Sequence, residues 1–208
     1  MITDIGIIDY GMGNLRSVAN GFESLGATTR VLKTPSQLSS VSHIVLPGVG
    51  AFGDGMKNLN AGGWVESLTE EVIRKGKPFL GLCLGMQLLA TTGTEYGNHD
   101  GLNWIPGTVL RLQSTDSTIR IPHIGWNDVE IVQTEGLYAG QSKPMTFYFV
   151  HSYVFQPTST DVITGICEHG VKFVASVQQN NVHATQFHPE KSQKAGLALL
   201  KNFLAIKA

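Results

Sequence analysis

The sequence predicts an α/β fold: a single domain with a central mixed, largely parallel sheet flanked by helices, and with added antiparallel strands in its second half. Three observations lead to this prediction. Short apolar runs alternate with amphipathic stretches in the first half, which is typical of a parallel sheet covered on both faces. Strand-like segments with short connections recur in the second half. No clear linker interrupts the 208 residues, so we expect one domain over residues 1–208.

Alternating strands and helices are predicted for the first half. Apolar runs predict strands at residues 5–9, 28–32, 43–46 and 78–82. Apolar residues at helical spacing predict helices at residues 15–25 and 64–75, and a further helix is expected to begin over residues 86–90. Glycine accounts for 24 of the 208 residues, above the usual share of about 7%. The glycines cluster after the apolar runs, which indicates strands that end in tight turns.

The second half is dominated by short strand-like segments. They cover residues 108–112, 128–132, 146–150, 162–167, 173–178 and 182–187. Their short connections favour antiparallel strands and hairpins. A final helix is predicted over residues 193–206, because its apolar side chains fall on one face.

The charge balance excludes two classes of protein. Lys and Arg together number 15, Asp and Glu number 16, and the formal net charge is −1. A strongly basic nucleic-acid binder is therefore not the leading interpretation. An acidic disordered tail is excluded as well.

The two cysteines, Cys83 and Cys167, are too few for a disulfide scaffold, and neither has a second cysteine at the spacing of a zinc site. The first residues lack the basic and apolar regions of a secretory signal. No stretch approaches the roughly 20 apolar residues of a membrane-spanning helix. We therefore expect a cytoplasmic protein without a membrane partner, in which both thiols stay free.

The sharpest local signal is the segment Gly81-Leu82-Cys83-Leu84-Gly85, which lies between a predicted strand and a predicted helix. It is the thiol counterpart of the Gly-x-Ser-x-Gly nucleophile elbow. The glycines are small enough for neighbouring backbone to pass closely. The start of the following helix favours the thiolate of Cys83, and the N–H of Leu84 would point toward an oxyanion. A small buried core cysteine is the competing interpretation, and it is the one we adopt for Cys167.

A base and an orienting carboxylate are predicted at His188-Pro189-Glu190, which follows an apolar strand. Pro189 favours an extended backbone at His188. Glu190 can then turn back to the imidazole and hold its tautomer, which completes a Cys-His-Glu triad with Cys83. Taken alone, this segment would be an exposed loop turn. Its combination with the cysteine elbow favours the functional interpretation.

A glycine loop, Pro47-Gly48-Val49-Gly50, follows the third predicted strand. Because the carboxyl ends of neighbouring parallel strands share one crevice, this loop is expected beside Cys83. It can supply a second N–H to an oxyanion, although a plain tight turn explains it equally well. Another glycine-rich turn, over residues 9–14, lacks the third glycine of a dinucleotide fingerprint, so we reject a nucleotide site there.

The segment Gly81-Leu82-Cys83-Leu84-Gly85-Met86-Gln87, together with His188-Pro189-Glu190, resembles the triad, or class I, glutamine amidotransferases. The resemblance covers essentially the whole chain. It implies that the protein hydrolyses glutamine to glutamate and ammonia and channels the ammonia to a synthase. Cys83 would attack the glutamine side-chain amide to form a thioester. His188, oriented by Glu190, would take the thiol proton, return it to the leaving ammonia and then activate water.

Within that family, several segments resemble the glutaminase subunits of imidazole glycerol phosphate synthases, which serve histidine biosynthesis. These segments are residues 7–15, Pro47-Gly48-Val49-Gly50-Ala51-Phe52, Gly125-Trp126-Asn127 and Tyr148-Phe149-Val150-His151-Ser152-Tyr153. The resemblance also implies further site residues: Val49, Gly50 and Leu84 for the oxyanion, Gln87, Ser152 and Tyr153 for bound glutamine, and Asn14 and Trp126 for the partner interface. Val49 would act as an allosteric switch, because the loop that carries it is often misoriented in the family until the partner binds its own ligand.

The implied partner is a separate cyclase subunit with a (β/α)₈ barrel, which would form a heterodimer with this chain. The cyclase would use the ammonia to make imidazole glycerol phosphate and aminoimidazole carboxamide ribotide. A typical barrel needs about 250 residues, which this chain does not have. The resemblance requires no metal, flavin or nucleotide cofactor.

Three alternatives stay open at this point. A paralogous glutaminase that feeds a synthase acting on a bacterial surface sugar would share every catalytic residue. A cysteine peptidase would cleave peptide bonds rather than free glutamine. A regulatory subunit with a vestigial site is disfavoured, because Cys83, His188 and Glu190 are all present.

Overall fold

The computed structural model describes residues 3–114, 116 and 118–207. The first half contains, in chain order, β1 (Asp4–Ile8), α1 (Leu15–Glu23), β2 (Thr28–Leu32), β3 (His43–Gly48), α2 (Phe52–Ala61), α3 (Trp64–Leu68), β4 (Phe79–Cys83) and α4 (Leu84–Gln87). A 3-10 turn covers Pro35–Ser40, and a π-helical segment, Thr69–Arg74, continues α3.

The second half is mainly strand. It contains β5 (Thr92–Gly93), β6 (His99–Asp100), β7 (Gly107–Arg111), β8 (His123–Ile131), β9 (Met145–His151), β10 (Tyr153–Pro157), β11 (Ile163–Glu168), β12 (Lys172–Gln179), β13 (Val182–Thr185) and α5 (Gln193–Ala205). Short 3-10 turns cover Gly136–Tyr138, Thr160–Val162 and Pro189–Lys191.

A nine-stranded sheet organises the molecule in the order β2-β1-β3-β4-β13-β12-β11-β8-β9. Every neighbouring pair from β2 to β13 is parallel. Every neighbouring pair from β13 to β9 is antiparallel. The predicted α/β fold with a mixed sheet and added antiparallel strands is therefore confirmed. Strand β13 joins the two halves, because it is parallel to β4 and antiparallel to β12.

A second, four-stranded sheet has the order β10-β7-β5-β6. It contains the strand predicted at residues 108–112, together with β10 and two strands of only two residues each. Its longest pairing, between β10 and β7, is antiparallel.

Three local features differ from what the sequence predicted. Helix α2 was not predicted from the sequence, and two glycines and two asparagines in its ten residues weaken the helical signal. The helix expected to begin over residues 86–90 starts instead at Leu84, directly after Cys83, and has a single turn. The strand expected at residues 128–132 begins earlier, at His123.

The parallel strands are covered on both faces. Along β3, Val45 packs in one apolar layer with residues of α1 and α5, whereas Ile44 and Leu46 pack in the other layer with residues of α2 and α3. This alternation follows from the two-residue repeat of a strand. Over the described ranges, no helix combines the length and apolar composition needed to cross a bilayer.

The core makes a testable prediction at Phe79, which is fully buried and packs edge-on against Trp104 with ring centroids 5.1 Å apart. Phe79→Ala should lower the free energy of unfolding by about 3–5 kcal/mol, because it removes buried apolar surface and leaves a cavity. Urea unfolding measures the loss. Val31→Ala on the exposed edge strand β2 is the control, with an expected change within about 0.5 kcal/mol. Equal effects of the two substitutions would contradict this core.

Candidate active site

The turn after β4 places Cys83 at one edge of the nine-stranded sheet. Strand β4 lies between β3 and β13 and is parallel to both, so three carboxyl-terminal strand ends meet there. The backbone of Cys83 has φ 53° and ψ −106°, which side-chain-bearing residues rarely adopt. The strand-turn-helix geometry expected of a nucleophile elbow is therefore present. Because α4 has a single turn, its dipole is a smaller support for the thiolate than the sequence suggested.

The two glycines that flank the turn are required by close backbone packing. A Cβ added at Gly81 would lie 2.6 Å from the carbonyl oxygen of Gly85. A Cβ added at Gly85 would overlap the carbonyl oxygen of Leu46 on β3. The interpretation that these glycines let neighbouring backbone pass is therefore confirmed.

His188 and Glu190 form a buried pair just beyond β13. The 3-10 turn at Pro189–Lys191 folds Glu190 back, and its Oε1 accepts a hydrogen bond from Nδ1 of His188 at 2.8 Å. The side chains are only 4% and 2% exposed. Because Nδ1 carries the donated proton, Nε2 is the nitrogen available to Cys83. Nε2 has no hydrogen-bond partner among the residues that the structure describes, so it is free to exchange a proton.

Electrostatics favour the protonated form of His188. Burial alone lowers the pKa of this imidazole, but the hydrogen bond with Glu190 and the negative charges of Glu190 and the nearby Cys83 sulfur outweigh burial and raise the pKa to about 10. The site therefore stabilises an imidazolium beside the sulfur. Such an imidazolium stabilises a thiolate, which is the reactive form of cysteine.

A serine that the sequence analysis did not single out holds the His188 loop against β9. The buried Ser192 donates from Oγ to the carbonyl oxygen of His188 at 2.6 Å and accepts from the N–H of Tyr148 at 3.0 Å. The N–H of His188 donates to the carbonyl of Tyr148 at 2.9 Å. These bonds fix the backbone from which the imidazole projects. No sequence pattern used above would have identified Ser192.

A cleft of about 420 Å³ opens beside Cys83. Its wall contains all the residues predicted to hold an oxyanion or glutamine, namely Val49, Gly50, Leu84, Gln87, Ser152 and Tyr153. Gly48 pairs directly with Cys83 in the parallel register, which brings the loop after β3 to the thiol. A larger cleft, of about 680 Å³, is lined mainly by residues of β7, β10 and β12 and contains none of the predicted site residues.

Gln186 is a second residue that the sequence analysis missed, and its side chain contacts the sulfur. Its Nε2 donates to Sγ of Cys83 at 3.6 Å, and its Oε1 accepts from Nε2 of Gln87 at 3.0 Å. Gln87 also donates from Nε2 to the carbonyl oxygen of Tyr153 at 3.0 Å. Both glutamines are buried. A polar residue in a predicted strand, two positions before His188, was the available signal.

Glu95 is a third missed residue, and it places a carboxylate in the wall of the cleft. Its Oε2 accepts a hydrogen bond from the N–H of Phe52 at 3.0 Å, which holds it at the beginning of α2. The neighbouring Tyr96 is 88% exposed and also lines the cleft. Glu95 lies in the loop between two strands of two residues each, so no hydrophobic periodicity could have identified it from the sequence.

The two residues expected at a partner interface lie outside the cleft wall. Asn14 is exposed and caps α1 by accepting from the N–H of Ser17 at 3.2 Å. Trp126 is 48% exposed on the outer face of β8, where Ile124 is 60% exposed. The ring of Tyr148 on β9 packs edge-on against Trp126.

Cys167 differs from Cys83 in its surroundings. It is buried in β11, and burial is the main cause that raises the pKa of its thiol to about 12. The interpretation of Cys167 as a core residue is therefore confirmed. Across residues 3–114, 116 and 118–207, no group of three or more His, Cys, Asp or Glu side chains is arranged to hold a metal ion.

Sequence comparison finds a family and close relatives. The model of the family described as glutamine amidotransferase class-I matches residues 6–207. A protein of Geobacter sulfurreducens named imidazole glycerol phosphate synthase subunit HisH is 49% identical to this chain, over 99% of this chain and 100% of that protein. A protein of the same name from Syntrophotalea carbinolica is 48% identical, over 95% of this chain and 97% of that protein.

Solved structures share the fold at low sequence identity. The structure of PurLQS from Thermotoga maritima has a TM-score of 0.77 and 16% identity, and the match covers 99% of each chain. A crystal structure of a glutamine amidotransferase has a TM-score of 0.74 and 21% identity, and the match covers 97% of each chain. At this level of identity, the two comparisons show only that the fold is shared.

The pair formed by His188 and Glu190 predicts the reactivity of Cys83. Glu190→Gln should slow alkylation of Cys83 by iodoacetamide at neutral pH, because it lowers the pKa of His188 and so removes part of the imidazolium charge that stabilises the thiolate. The rate should fall about tenfold or more, as expected for the loss of one charged hydrogen bond. Mass spectrometry of the alkylated peptide measures it.

Glu70→Gln is the matched control, because the Glu70 carboxylate pairs with Arg74 on the exposed surface. Cys83→Ala gives the background from Cys167. Equal alkylation rates in Glu190→Gln and Glu70→Gln would contradict the electrostatic role of Glu190.

Proposed function

This chain belongs to the class I glutamine amidotransferase family, and from this premise we propose that it is the glutaminase subunit of an imidazole glycerol phosphate synthase. The observation that carries the chemistry is the buried pair of His188 and Glu190 beside Cys83, which lines the cleft. The observation that carries the choice of pathway is the name shared by relatives that are 48–49% identical over nearly their full length.

Free glutamine fits the chemistry of the cleft. Its side-chain amide enters toward Cys83, and its α-ammonium group needs an anion. Glu95 supplies a carboxylate in the cleft wall, and the hydrogen bond from the Phe52 N–H fixes its direction. Ser152, which connects β9 and β10, and Tyr153, at the start of β10, contribute polar groups. A small pocket that contains a carboxylate favours a free amino acid over a peptide, whose α-amino group is no longer charged.

The first chemical step is attack of Sγ of Cys83 on the carboxamide carbon of glutamine. The imidazolium of His188 then gives its proton to the departing nitrogen, so that ammonia leaves and a γ-glutamyl thioester remains. Neutral His188 next takes a proton from water, which attacks the thioester and releases glutamate. Glu190 accepts the hydrogen bond from Nδ1 throughout and so keeps that proton in place.

The oxyanion formed in both steps needs two donors. The N–H of Leu84 is one, because it begins α4 directly after the nucleophile. The second comes from the Val49–Gly50 segment, which the register of Gly48 with Cys83 brings to the cleft. Val49 is 44% exposed, so a partner can contact this loop and change its orientation. Each such donor is worth a factor of about 100 to 1,000 in rate.

The partner is a cyclase subunit with a (β/α)₈ barrel that accepts the ammonia. Large exposed apolar side chains mark protein interfaces, and Ile124 and Trp126 form such a pair on β8. Asn14 contributes to the same interface from the loop before α1. A cytoplasmic location follows from the pathway, in which both subunits act on soluble metabolites.

Glu95 gives a test of substrate binding. Glu95→Gln should raise the KM for glutamine about 10- to 100-fold with a smaller change in kcat, because it removes a charged hydrogen bond worth about 1.5–3 kcal/mol. Initial rates of glutamate release measure both constants. Glu70→Gln is the matched control, far from the cleft. A KM within twofold of the control would contradict the role of Glu95.

The complex gives the test of the proposed function. Glutamine hydrolysis by this chain should rise by orders of magnitude when a histidine-pathway cyclase and its ribotide ligand are added. In that complex Cys83→Ala should abolish synthesis of imidazole glycerol phosphate from glutamine and leave synthesis from ammonia intact. Product formation with each nitrogen donor measures both effects.

A cyclase that works with free ammonia but does not stimulate this chain would contradict the proposed partner and favour the sugar-modifying paralogue. Cleavage of peptides in preference to glutamine would contradict the glutaminase function itself.

A further inference from the structure

Two buried histidines outside the triad face each other on adjacent strands. His123 on β8 and His151 on β9 are direct partners in the antiparallel register, and they are 3% and 6% exposed. Nδ1 of His123 lies 3.0 Å from Nε2 of His151. His151 also lines the cleft that contains Cys83. Neither ring donates or accepts a proton in the chemical steps proposed above.

The neighbouring groups allow one arrangement of protons in this pair. Nδ1 of His151 is 3.0 Å from the carbonyl oxygen of Tyr153, which only accepts, so this nitrogen carries the proton. In the neutral ring Nε2 then accepts from Nδ1–H of His123. Nε2 of His123 is left as an acceptor, and Nδ2 of Asn127 donates to it at 3.3 Å.

The amide of Asn127 is held in the orientation that this arrangement needs. Its Nδ2 also donates to the carbonyl oxygen of Glu168 at 2.8 Å, and its Oδ1 accepts from the N–H of Asp128 at 2.8 Å. A flipped amide would lose both bonds. The direction of donation therefore runs from Asn127 through His123 and His151 to Tyr153.

The carbonyl of Tyr153 is also the anchor of the two buried glutamines. Gln87 donates to it from Nε2, and the same Nε2 donates to Oε1 of Gln186. Because Oε1 of Gln186 is thereby occupied as an acceptor, its Nε2 faces Sγ of Cys83. If Gln87 flipped, Gln186 would turn its oxygen to the sulfur. An oxygen there would repel a thiolate, whereas an N–H stabilises it.

Burial, together with the neighbouring charges, favours neutral rings in the histidine pair. Burial is the main cause that lowers the pKa of His123 to about 4, and the charge of His169 adds to it. Burial also lowers the pKa of His151 to about 3, against the hydrogen bond to Tyr153 and with the charges of His123, His169 and His188. The ring of His169 stacks on that of His123 with centroids 4.1 Å apart.

We propose that His123 and His151 are positioning residues for glutamine hydrolysis: as neutral Nδ1–H tautomers they hold the Tyr153 carbonyl, which sets the direction of the Gln87 and Gln186 amides and so presents an N–H to the sulfur of Cys83. The role in hydrolysis rests on the proposed function. The chain of bonds begins at Asn127, next to Trp126 on the strand proposed to contact the cyclase. A shift of β8 on cyclase binding would therefore be transmitted to Cys83 through this chain of hydrogen bonds.

His151→Leu and His151→Asn form the matched pair that tests this role. Leucine fills similar space without a donor, whereas the asparagine amide places a donor near the former Nδ1. His151→Leu should lower kcat for glutamine and the rate of Cys83 alkylation by iodoacetamide about tenfold, as expected for one lost hydrogen bond. His151→Asn should restore both rates to within about threefold of the unsubstituted protein. A purely structural role would not distinguish the two variants by thiol reactivity.

Nitrogen NMR of the full chain labelled with ¹⁵N-histidine provides a measurement that needs no substitution. Two rings should appear as neutral Nδ1–H tautomers from about pH 5 to 8, whereas free imidazole side chains titrate near 6.5. Nε2–H tautomers or imidazolium signals for His123 and His151 in that range would overturn the proposal. Unchanged alkylation in a folded His151→Leu variant would overturn it as well.

These measurements separate the two proposals. The tautomers and the alkylation rates are independent of which substrate the enzyme uses. If a competent cyclase fails to stimulate glutamine hydrolysis, the proposed function fails, and the NMR and alkylation results still decide whether the histidine pair sets the environment of Cys83.

Discussion

Cys83 keeps its strained backbone because the pairing of β4 with both neighbouring strands and the close packing of Gly85 fix the chain on either side of it. A side-chain-bearing residue in such a sparsely populated conformation costs about 1–3 kcal/mol, which packing elsewhere must offset. The offset comes from β4, whose five residues are buried between two parallel neighbours, and from Gly85, whose Cα packs on the backbone of Leu46. A side chain at Gly85 would push α4 away from β3 and relax the turn. The reactivity of the thiol therefore depends on a backbone contact that involves no catalytic side chain.

The two halves of the nine-stranded sheet contribute different groups around this turn. The parallel half delivers strand ends: the loop after β3 by the register of Gly48 with Cys83, and the His188 loop by way of β13. The antiparallel half delivers backbone carbonyls from the end of β9 and the start of β10. The carbonyl oxygen of Val150 lies 3.9 Å from Sγ of Cys83, and that of Tyr153 anchors Gln87. Parallel strands alone would leave the cysteine open on one side, so the mixed topology is what closes the cleft.

The site residues that could be predicted from the sequence are those encoded by local patterns. The elbow at Cys83 and the pair of His188 and Glu190 are local patterns, in which the chemistry and the turn are encoded within a few residues. Gln186 contacts Cys83 across 103 positions of the chain, and its role depends on a register that no local pattern contains. Glu95 belongs to a loop fixed by α2, a helix whose glycines and asparagines hide it from periodicity. The sequence therefore indicated the reacting groups but missed Gln186, which contacts the sulfur, and Glu95, which lines the cleft.

The histidines around the cleft show how one fold maintains opposite protonation states at close range. His188 and His151 are both buried, and burial lowers the pKa of each. His188 has the carboxylate of Glu190 and the sulfur of Cys83 as neighbours, and their negative charge raises its pKa to about 10. His151 has a backbone carbonyl and a second imidazole, which provide a hydrogen-bond direction but no net negative charge. The first ring can therefore exchange a proton with the substrate, while the second keeps its proton on one nitrogen. A carboxylate lies beside one imidazole and not beside the other. This difference is sufficient to separate the group proposed to transfer a proton from the group proposed only to orient its neighbours.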